Sequence, residues 1–299
     1  MPRLLAGTIA PEAVCTRGME THVFIAVLIA AACHASWNAV IKFGLDPFTT
    51  TALIAIMSGV VAAPLVPVFG LPPAAAWPWV IASVILHLGY YVGLTEAYRS
   101  GDMGQVYPIA RGSAPLMTAS ASTLLLGEAL GLGGWIGIVV LAAGVVLMSL
   151  RGGRDIAKLD RRAVGFALFT AVTICAYSLV DGIGARTAGN AHAYTAALFV
   201  CDGLSMATFA LLRRGSGVVV EMGRNWKAGL IGGALSLVAY WIAIWAMTVA
   251  PIALVAALRE TSVLFGALIA VIVLREPLRA SRIAAAVMIV IGLALIRLG

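Results

Sequence analysis

Charged residues are scarce in this sequence, and their scarcity excludes most soluble folds. Of 299 residues, 11% are Asp, Glu, Lys or Arg, whereas 62% are hydrophobic. Soluble globular domains carry about 25% charged residues, and a chain of this length needs polar surface to cover a water-soluble core. The composition therefore indicates that most of the chain lies in a lipid bilayer. We assign the net charge of +7 to loops that orient the protein in the membrane, and not to binding of nucleic acid.

Cysteine patterns and catalytic motifs are also lacking. The cysteines Cys15, Cys33, Cys175 and Cys201 have neither the spacing of a metal site nor that of a disulfide framework. The chain contains no HExxH or GxSxG motif and no nucleotide-binding loop, so it indicates neither a common hydrolase nor an ATP-driven pump. We predict no metal, no cofactor and no enzymatic activity, and keep an intramembrane enzyme as a weaker alternative.

What the sequence does contain is a series of long apolar runs separated by Pro, Gly and charged residues. A helix that crosses the bilayer takes about 20 mostly apolar residues. We therefore predict an all-α integral membrane protein with ten transmembrane helices. Their predicted bounds are 22–42, 50–69, 77–98, 104–126, 132–150, 163–185, 191–212, 228–248, 252–274 and 280–298.

The two halves of the chain resemble each other. With a constant offset of 148 residues, Arg111 falls on Arg259 and Glu128 falls on Glu276. Five spans in each half insert the second half upside down relative to the first, as in the inverted repeats of secondary carriers. We predict an N-terminal extension (1–21), a first five-helix repeat (22–150), a charged connecting loop (151–162) and a second five-helix repeat (163–299).

The motifs around the fifth and tenth spans resemble a known family. A helix ending LLLGEAL is followed by GLGGWIGIVVLAAGVVL, and the echo VLREPL is followed by AAVMIVIGLALI. These segments are similar to the EamA branch of the drug/metabolite transporter superfamily, and the resemblance covers the chain from about residue 22 onward. It implies an exporter or permease for amino acids or other metabolites. It also implies a central cavity lined mainly by helices one, three, four, six, eight and nine, but it does not name the cargo.

Two arginines at membrane depth are the first substrate-binding candidates. Arg111 and Arg259 each lie about two turns into a predicted span, and in inverted halves they would flank one cavity. A guanidinium is a planar fork suited to a carboxylate or phosphate, which favours an anionic or zwitterionic metabolite. The alternative is that each arginine is neutralised within the protein, for example by Glu260 or Asp181, and holds helices together.

Aromatic and polar side chains on the same helices extend the predicted site. Trp37 and Asn38 align with Tyr177 and Ser178 across the repeat, which favours cavity positions, whereas some other aromatics are expected in the interfacial belts. Pro108 and Pro115 predict a kink in helix four near Arg111. The full set of substrate-binding candidates is Arg111, Arg259, Trp37, Asn38, Tyr177, Tyr90, Tyr107 and Trp241.

Three residues are candidates for proton coupling: Glu260, His34 and Asp181. Burial penalises the charged form of a carboxyl, so an acid at membrane depth is suited to bind and release a proton. The alternative for Glu260 is a permanent ion pair elsewhere in the bundle, and a lone His is more often a packed residue than a relay. We assign Asp202 a structural role, because the resemblance puts helix seven at the periphery.

Small residues give helices five and ten matching faces, through Gly137 and Gly144 in one and Ala285 and Gly292 in the other. Close helix packing in membranes uses such faces. We expect them to serve either the scaffold or a homodimer contact through these two helices.

The distribution of positive charge bears on orientation. Fourteen Lys and Arg residues fall in loops that follow odd-numbered spans, and four lie on the opposite side. The positive-inside rule then puts both termini outside, whereas the resemblance implies termini inside. Both orientations stay open, as do starts at Met1 and Met19.

Together these features predict a secondary transporter in the inner (plasma) membrane, which moves a small metabolite such as an amino acid by alternating access. Its expected partners are that small molecule and the lipid bilayer, with no nucleic acid. The competing interpretations are a channel, a non-transporting scaffold and, less favoured, an intramembrane enzyme. The residues leave the cargo, the direction of transport and the coupling ion open.

Overall fold

The computed structural model describes residues 19–40, 46–100, 103–149, 161–272, 275 and 280–298, and long helices dominate them. We label the long helices α1 to α10 in chain order. They are α1 (Thr21–Val40), α2 (Pro47–Ala62, continued by a 3₁₀ turn Ala63–Leu65 and by Val66–Phe69), α3 (Trp77–Ser100), α4 (Met103–Leu126), α5 (Leu132–Ser149), α6 (Arg161–Ala188), α7 (Ala191–Arg214), α8 (Trp226–Val249), α9a (Ile252–Arg259) with α9b (Ser262–Ile272), and α10 (Ala280–Leu298). A 3₁₀ turn, Ala74–Ala76, precedes α3, and a short helix, Gly217–Arg224, lies between α7 and α8.

Within the described residues, eight helices are long and apolar enough to cross a membrane: α1, α2, α3, α6, α7, α8, α9 and α10. Helix α5 is apolar but shorter, and α4, which carries Arg111 and several Ser and Thr residues, is not among the eight. The outward faces are apolar, with Ile85 63% and Leu204 65% exposed, as expected of side chains that meet lipid. The chain is a multi-pass, all-helical integral membrane protein. Every described helix end lies within three residues of its predicted position.

Local sequence explains where the helices begin and end. Pro47 opens α2, and the Asp46 side chain accepts hydrogen bonds from the backbone N–H groups of Phe48 and Thr49. Such a cap satisfies donors that have no partner within the helix. Gly215 ends α7 with φ of +71°, a conformation that glycine adopts without steric cost.

Helices α5 and α10 pack closely along their small-residue faces. A Cβ on Gly137 would lie 2.8 Å from the carbonyl oxygen of Gly292, and one on Gly144 would lie 3.1 Å from that of Ala285. These faces are therefore used inside one chain, as scaffold. A homodimer through α5 and α10 stays a prediction, and it would have to use their outer faces.

Substitution of Gly137 by Ala is expected to lower stability, although alanine is the better helix former. The added methyl meets backbone atoms of α10 at 2.8 Å, and such overpacking costs about 1–3 kcal/mol. The matched control is Gly165→Ala in α6, where the new Cβ meets nothing within 4 Å. Thermal unfolding of the detergent-purified variants measures the difference, and equal midpoints for the two variants would contradict this packing.

The remaining helices pack around a polar centre. Helix α6 packs on α3 and α4, while α1 packs on α8 and on both parts of α9. Helices α2 and α7 approach closely at Gly59 and Gly203, and Ser58 on α2 donates a hydrogen bond to the carbonyl oxygen of Gly233 on α8 (3.0 Å). This arrangement brings polar residues of α1, α3, α4, α6, α8 and α9 together.

Candidate functional site

The centre of the site is a break in α9. The helix ends at Arg259 and resumes at Ser262, so Glu260 and Thr261 form a turn between α9a and α9b. Around this turn the backbone bonds tighten to an i→i+3 pattern, from the N–H of Glu260 to the carbonyl of Ala257 (3.0 Å) and from that of Thr261 to Leu258 (3.0 Å). Transporters place broken helices at their binding sites. The sequence predicts a kink near Arg111 in α4, but α4 is a continuous helix. The interruption lies in α9, in the other half of the chain.

Arg111 and Glu260 form a buried ion pair across the two halves. Arg111 Nη1 donates to Glu260 Oε1 at 2.9 Å, and the two side chains are 6% and 4% exposed. Of the two partners considered from the sequence, Glu260 is the one that Arg111 pairs with. The second oxygen, Glu260 Oε2, is buried and has no hydrogen-bond partner among the described residues. Arg111 is therefore held by the protein, while one carboxylate oxygen stays available.

His34 joins this pair from α1. Arg111 Nη2 contacts His34 Nε2, and Trp37 Nε1 lies 3.3 Å from His34 Nδ1. Both neighbours are donors, and a neutral imidazole has one accepting nitrogen, so one of these contacts is a full hydrogen bond. The charged guanidinium is the stronger donor, which leaves Trp37 packed edge-on against the ring at 5.0 Å. The Asn38 amide donates to the backbone carbonyl of His34 (2.8 Å).

Arg259, unlike Arg111, forms no ion pair with any described carboxylate. Its guanidinium lies over the ring of Tyr240, 4.6 Å from the centroid. Cation–π contacts contribute about 0.5–2 kcal/mol, and the Tyr240 ring carries no formal negative charge to compensate the guanidinium. The arginine is thus positioned by aromatic groups but not neutralised by them.

An aromatic cluster surrounds Arg259. The His87 ring stacks on Tyr177 (4.4 Å between centroids) and meets Tyr240 edge-on at 5.7 Å. Tyr90 packs edge-on against Tyr177 at 5.9 Å. The structure therefore brings the predicted residues Tyr90 and Tyr177 together with Arg259, and it adds Tyr240 and His87, which the sequence argument left outside the candidate list.

Asp181 lies beside this cluster, fully buried in α6. Its carboxyl accepts from the hydroxyl of Tyr194 at 2.9 Å and from that of Tyr240. No described Lys or Arg pairs with it. Asp181 therefore does not neutralise either arginine, and its role in proton coupling stays a prediction.

Two other predicted residues lie apart from the arginines or outside the described side chains. Trp241 Nε1 donates to His192 Nδ1 at 2.7 Å, and its ring packs with Phe69 near the ends of α2 and α7. This aromatic group is separate from the cluster around Arg259. Tyr107 lies in the first turns of α4, where the side chains are outside the part of the chain that the structure describes.

Asp202 is a polar group that sequence reasoning assigned to structure alone. Its Oδ2 accepts from the Tyr91 hydroxyl at 3.0 Å, so it faces α3 and not the periphery. Its Oδ1 is buried without a partner among the described residues. The structural role that the sequence predicts for Asp202 stays a prediction.

The Gly-Glu motif that ends α4 has a structural explanation. Gly127 has φ of +68°, and Glu128 Oε2 accepts from the backbone N–H of Ile252 at the start of α9a (2.9 Å). Glu128 Oε1 accepts from Arg186 Nη2 at 2.8 Å, and Arg186 also donates to the carbonyl of Met247 (2.8 Å). The bonds of Glu128 and Arg186 therefore connect the ends of α4, α6, α8 and α9a.

Comparisons with known proteins agree with this architecture. A solved crystal structure that is 20% identical superposes with a TM-score of 0.75 over 92% of this chain and 95% of its own, which supports the fold alone. Spermidine export protein MdtI from Enterobacter sp. (strain 638) is 33% identical over 70 residues, which is 23% of this chain and 64% of that protein. The chain thus matches less than two thirds of this relative. The family model described as EamA-like transporter family matches twice, over residues 22–150 and 161–298. The chain belongs to the EamA-like transporter family.

Proposed function

We propose that the protein is a secondary transporter that moves a small zwitterionic metabolite, such as an amino acid, across the inner membrane by alternating access. The observation that carries this proposal is the pair of adjacent groups at the break in α9. Arg259 lacks a described carboxylate partner, and the buried Glu260 Oε2 lacks a described donor. A zwitterion supplies what each needs, because its carboxylate fits a guanidinium fork and its ammonium is a donor for a carboxylate oxygen.

Alternating access requires two halves that rock about a central site, and several features support ten spans in an inverted five-plus-five arrangement. The family model matches two successive segments. With the 148-residue offset, Gly127 falls on Arg275, and both adopt positive φ, +68° and +53°. Helix α6 packs on α3 and α4 as α1 packs on α8 and α9, which is the same relation after a shift of five helices.

An even number of spans is supported by the two ends of the bundle. Arg297 near the end of α10 donates to the carbonyl of Met19 and to the hydroxyl of Thr21, both at 2.6 Å. The start of α1 and the end of α10 therefore lie on the same face, as ten crossings require. The charge asymmetry favours an orientation with that face outside.

An organic polycation is the second candidate substrate. The relative from Enterobacter is named as a spermidine exporter, and the carboxyls of Asp181 and Asp202 lie among tyrosines without a described cationic partner. Acidic and aromatic groups together suit ammonium ligands. The zwitterion is favoured because Arg259, which lies on an aromatic ring and has no described carboxylate partner, repels a polycation.

A binding screen tests the substrate class. The purified protein is heated with each proteinogenic amino acid, with small organic acids and with spermidine, and the unfolding midpoint is recorded. Because ligands that bind only the folded state stabilise it, we expect a saturable increase for at least one amino acid, absent in Arg259→Gln and retained in Arg213→Gln. Arg213 is the matched control, since it forms a partly exposed ion pair with Glu96 at 3.1 Å, away from the centre. Stabilisation by spermidine alone would overturn the zwitterion proposal.

A further inference from the structure

A second polar group consists of His87 on α3, Asp181 on α6 and Asp202 on α7. Tyr240 connects it to Arg259. Two carboxyls, Asp181 at 0% and Asp202 at 5% exposure, are buried here. They accept from the hydroxyls of Tyr240 and Tyr91, and the rings of these tyrosines lie 5.7 and 6.4 Å from the His87 ring. Neither forms an ion pair with a described Lys or Arg. At membrane depth two uncompensated carboxylates are costly, so this group needs a cation to accompany it.

His87 reaches Asp181 through Tyr240. His87 Nδ1 lies 2.9 Å from the carbonyl oxygen of Ser83 and 3.1 Å from its hydroxyl. Because a carbonyl oxygen only accepts, Nδ1 carries the hydrogen of this contact. The Tyr240 ring meets the His87 ring edge-on at 5.7 Å, and the Tyr240 hydroxyl donates to Asp181. Tyr240 therefore lies between the histidine and the carboxyl.

The Asp202 carboxyl has one oxygen that is available to bind a ligand. Asp202 Oδ2 is bonded to Tyr91, but Oδ1 is buried and has no partner among the described residues. Cys201 is the neighbouring titratable group on α7. The other groups that face the two carboxyls are Tyr194 and Tyr240, and the Tyr240 ring also contacts Arg259.

The geometry fits a proton better than a metal ion. Hard metal cations take about six or more oxygen ligands. Both Asp181 oxygens are already engaged by tyrosine hydroxyls, so Asp202 Oδ1 is the one carboxyl oxygen of this group without a described donor. One oxygen suffices to hold a proton.

We propose that His87, Asp181 and Asp202 form the proton-binding site of the transporter, and that Tyr240 links its occupancy to substrate binding at Arg259. This rests on the proposed function. Loading adds one proton from the aqueous side to Asp202 Oδ1, and unloading returns the same proton to water, with no other bond made or broken. Tyr240 touches both sites, because its hydroxyl donates to Asp181 and its ring carries the Arg259 guanidinium.

Infrared spectroscopy tests proton binding without any substrate. Spectra of the purified protein in lipid vesicles are recorded at several pH values, and the carbonyl stretch of a protonated carboxyl is followed. We expect this band in the wild-type protein, its loss or shift in Asp202→Asn, and its retention in the matched control Glu221→Gln on the short helix. Absence of the band in the wild-type protein, or an identical band in both Asp202→Asn and Asp181→Asn, would overturn the proposal. Tyr91→Phe, which keeps the carboxyl and removes its donor, is expected to shift the band.

Transport measurements then test coupling. In proteoliposomes, the amino acid found in the screen is followed both in counterflow and in accumulation driven by a pH gradient. We expect Asp202→Asn to lower the ratio of accumulation to counterflow by about tenfold or more, within the range of coupling energies between sites. Accumulation that depends on Na⁺ at constant pH, or an unchanged ratio, would contradict proton coupling. Absence of counterflow in the wild-type protein would reject the proposed function instead, while the infrared result would still stand.

Discussion

Replacing Arg259 by Gln is expected to abolish transport of an amino acid by the reconstituted protein. The substitution removes the guanidinium that lies over Tyr240 and lacks a described carboxylate partner. Losing one partner of a desolvated charge pair costs about 3 kcal/mol, or a factor of about 100 in affinity. The measurement is uptake of labelled amino acid into proteoliposomes across a range of substrate concentrations.

Two further variants give this prediction its controls. Arg259→Lys keeps the charge but lacks the planar fork that binds a carboxylate at two points. Its uptake of labelled amino acid should therefore lie between that of Arg259→Gln and that of the wild type. Arg213→Gln removes an arginine whose ion pair with Glu96 lies away from the site, and it should transport normally. Wild-type uptake by Arg259→Gln would reject this arginine as a substrate ligand.

The second large effect is expected at Glu260. Its substitution by Gln removes the carboxylate that accepts from the buried Arg111 guanidinium at 2.9 Å. Removing one member of a buried pair costs about 3–5 kcal/mol. We therefore expect a large decrease in the thermal unfolding midpoint of Glu260→Gln.

The double variant Arg111→Gln with Glu260→Gln separates stability from function. With both charges removed, most of the lost stability should return, because replacing a whole buried pair is often close to neutral. Transport should stay absent, since the carboxylate proposed to hold the substrate ammonium is gone. Additive losses of stability in the double variant would show that the two side chains do not act as a pair.

Helix positions could be predicted from the sequence because the bilayer imposes strong local constraints. Apolar runs of one membrane thickness, punctuated by Pro47 and by glycines such as Gly215, fix most helix ends through local chemistry. The paired Arg and Glu residues of the two halves were likewise visible, because a repeat is a property of the sequence alone.

The partners of the buried charges could not be predicted. The choice of Glu260 over Asp181 for Arg111 depends on how α4 and α9 are rotated against each other, and residues separated by 149 positions in the chain carry no signal of that rotation. Arg111 and Arg259 also looked equivalent in the sequence. The structure distinguishes them, because one is paired and the other lies on an aromatic ring.

The helix break illustrates a different limit. Pro108 and Pro115 drew attention to α4, yet α4 is continuous, and the break lies at Glu260 in α9, where the sequence carries no proline. A turn without proline is stabilised by tertiary contacts, here the hydrogen bond that Arg111 donates to Glu260. Such contacts form only when the helices pack, so the sequence alone does not indicate them. The contact of Asp202 with Tyr91 depends on packing in the same way, since a peripheral helix still presents one face to α3.

The central claim is that this member of the EamA-like family is a carrier with a substrate site at the break in α9. Counterflow tests it most directly. Proteoliposomes are loaded with a high concentration of the unlabelled amino acid from the screen and diluted into a trace of the labelled one. A carrier with one alternating site predicts a transient accumulation of label above equilibrium, saturable in the wild type and absent in Arg259→Gln. Label that rises only to equilibrium, at a rate proportional to concentration, would contradict the account and indicate a channel.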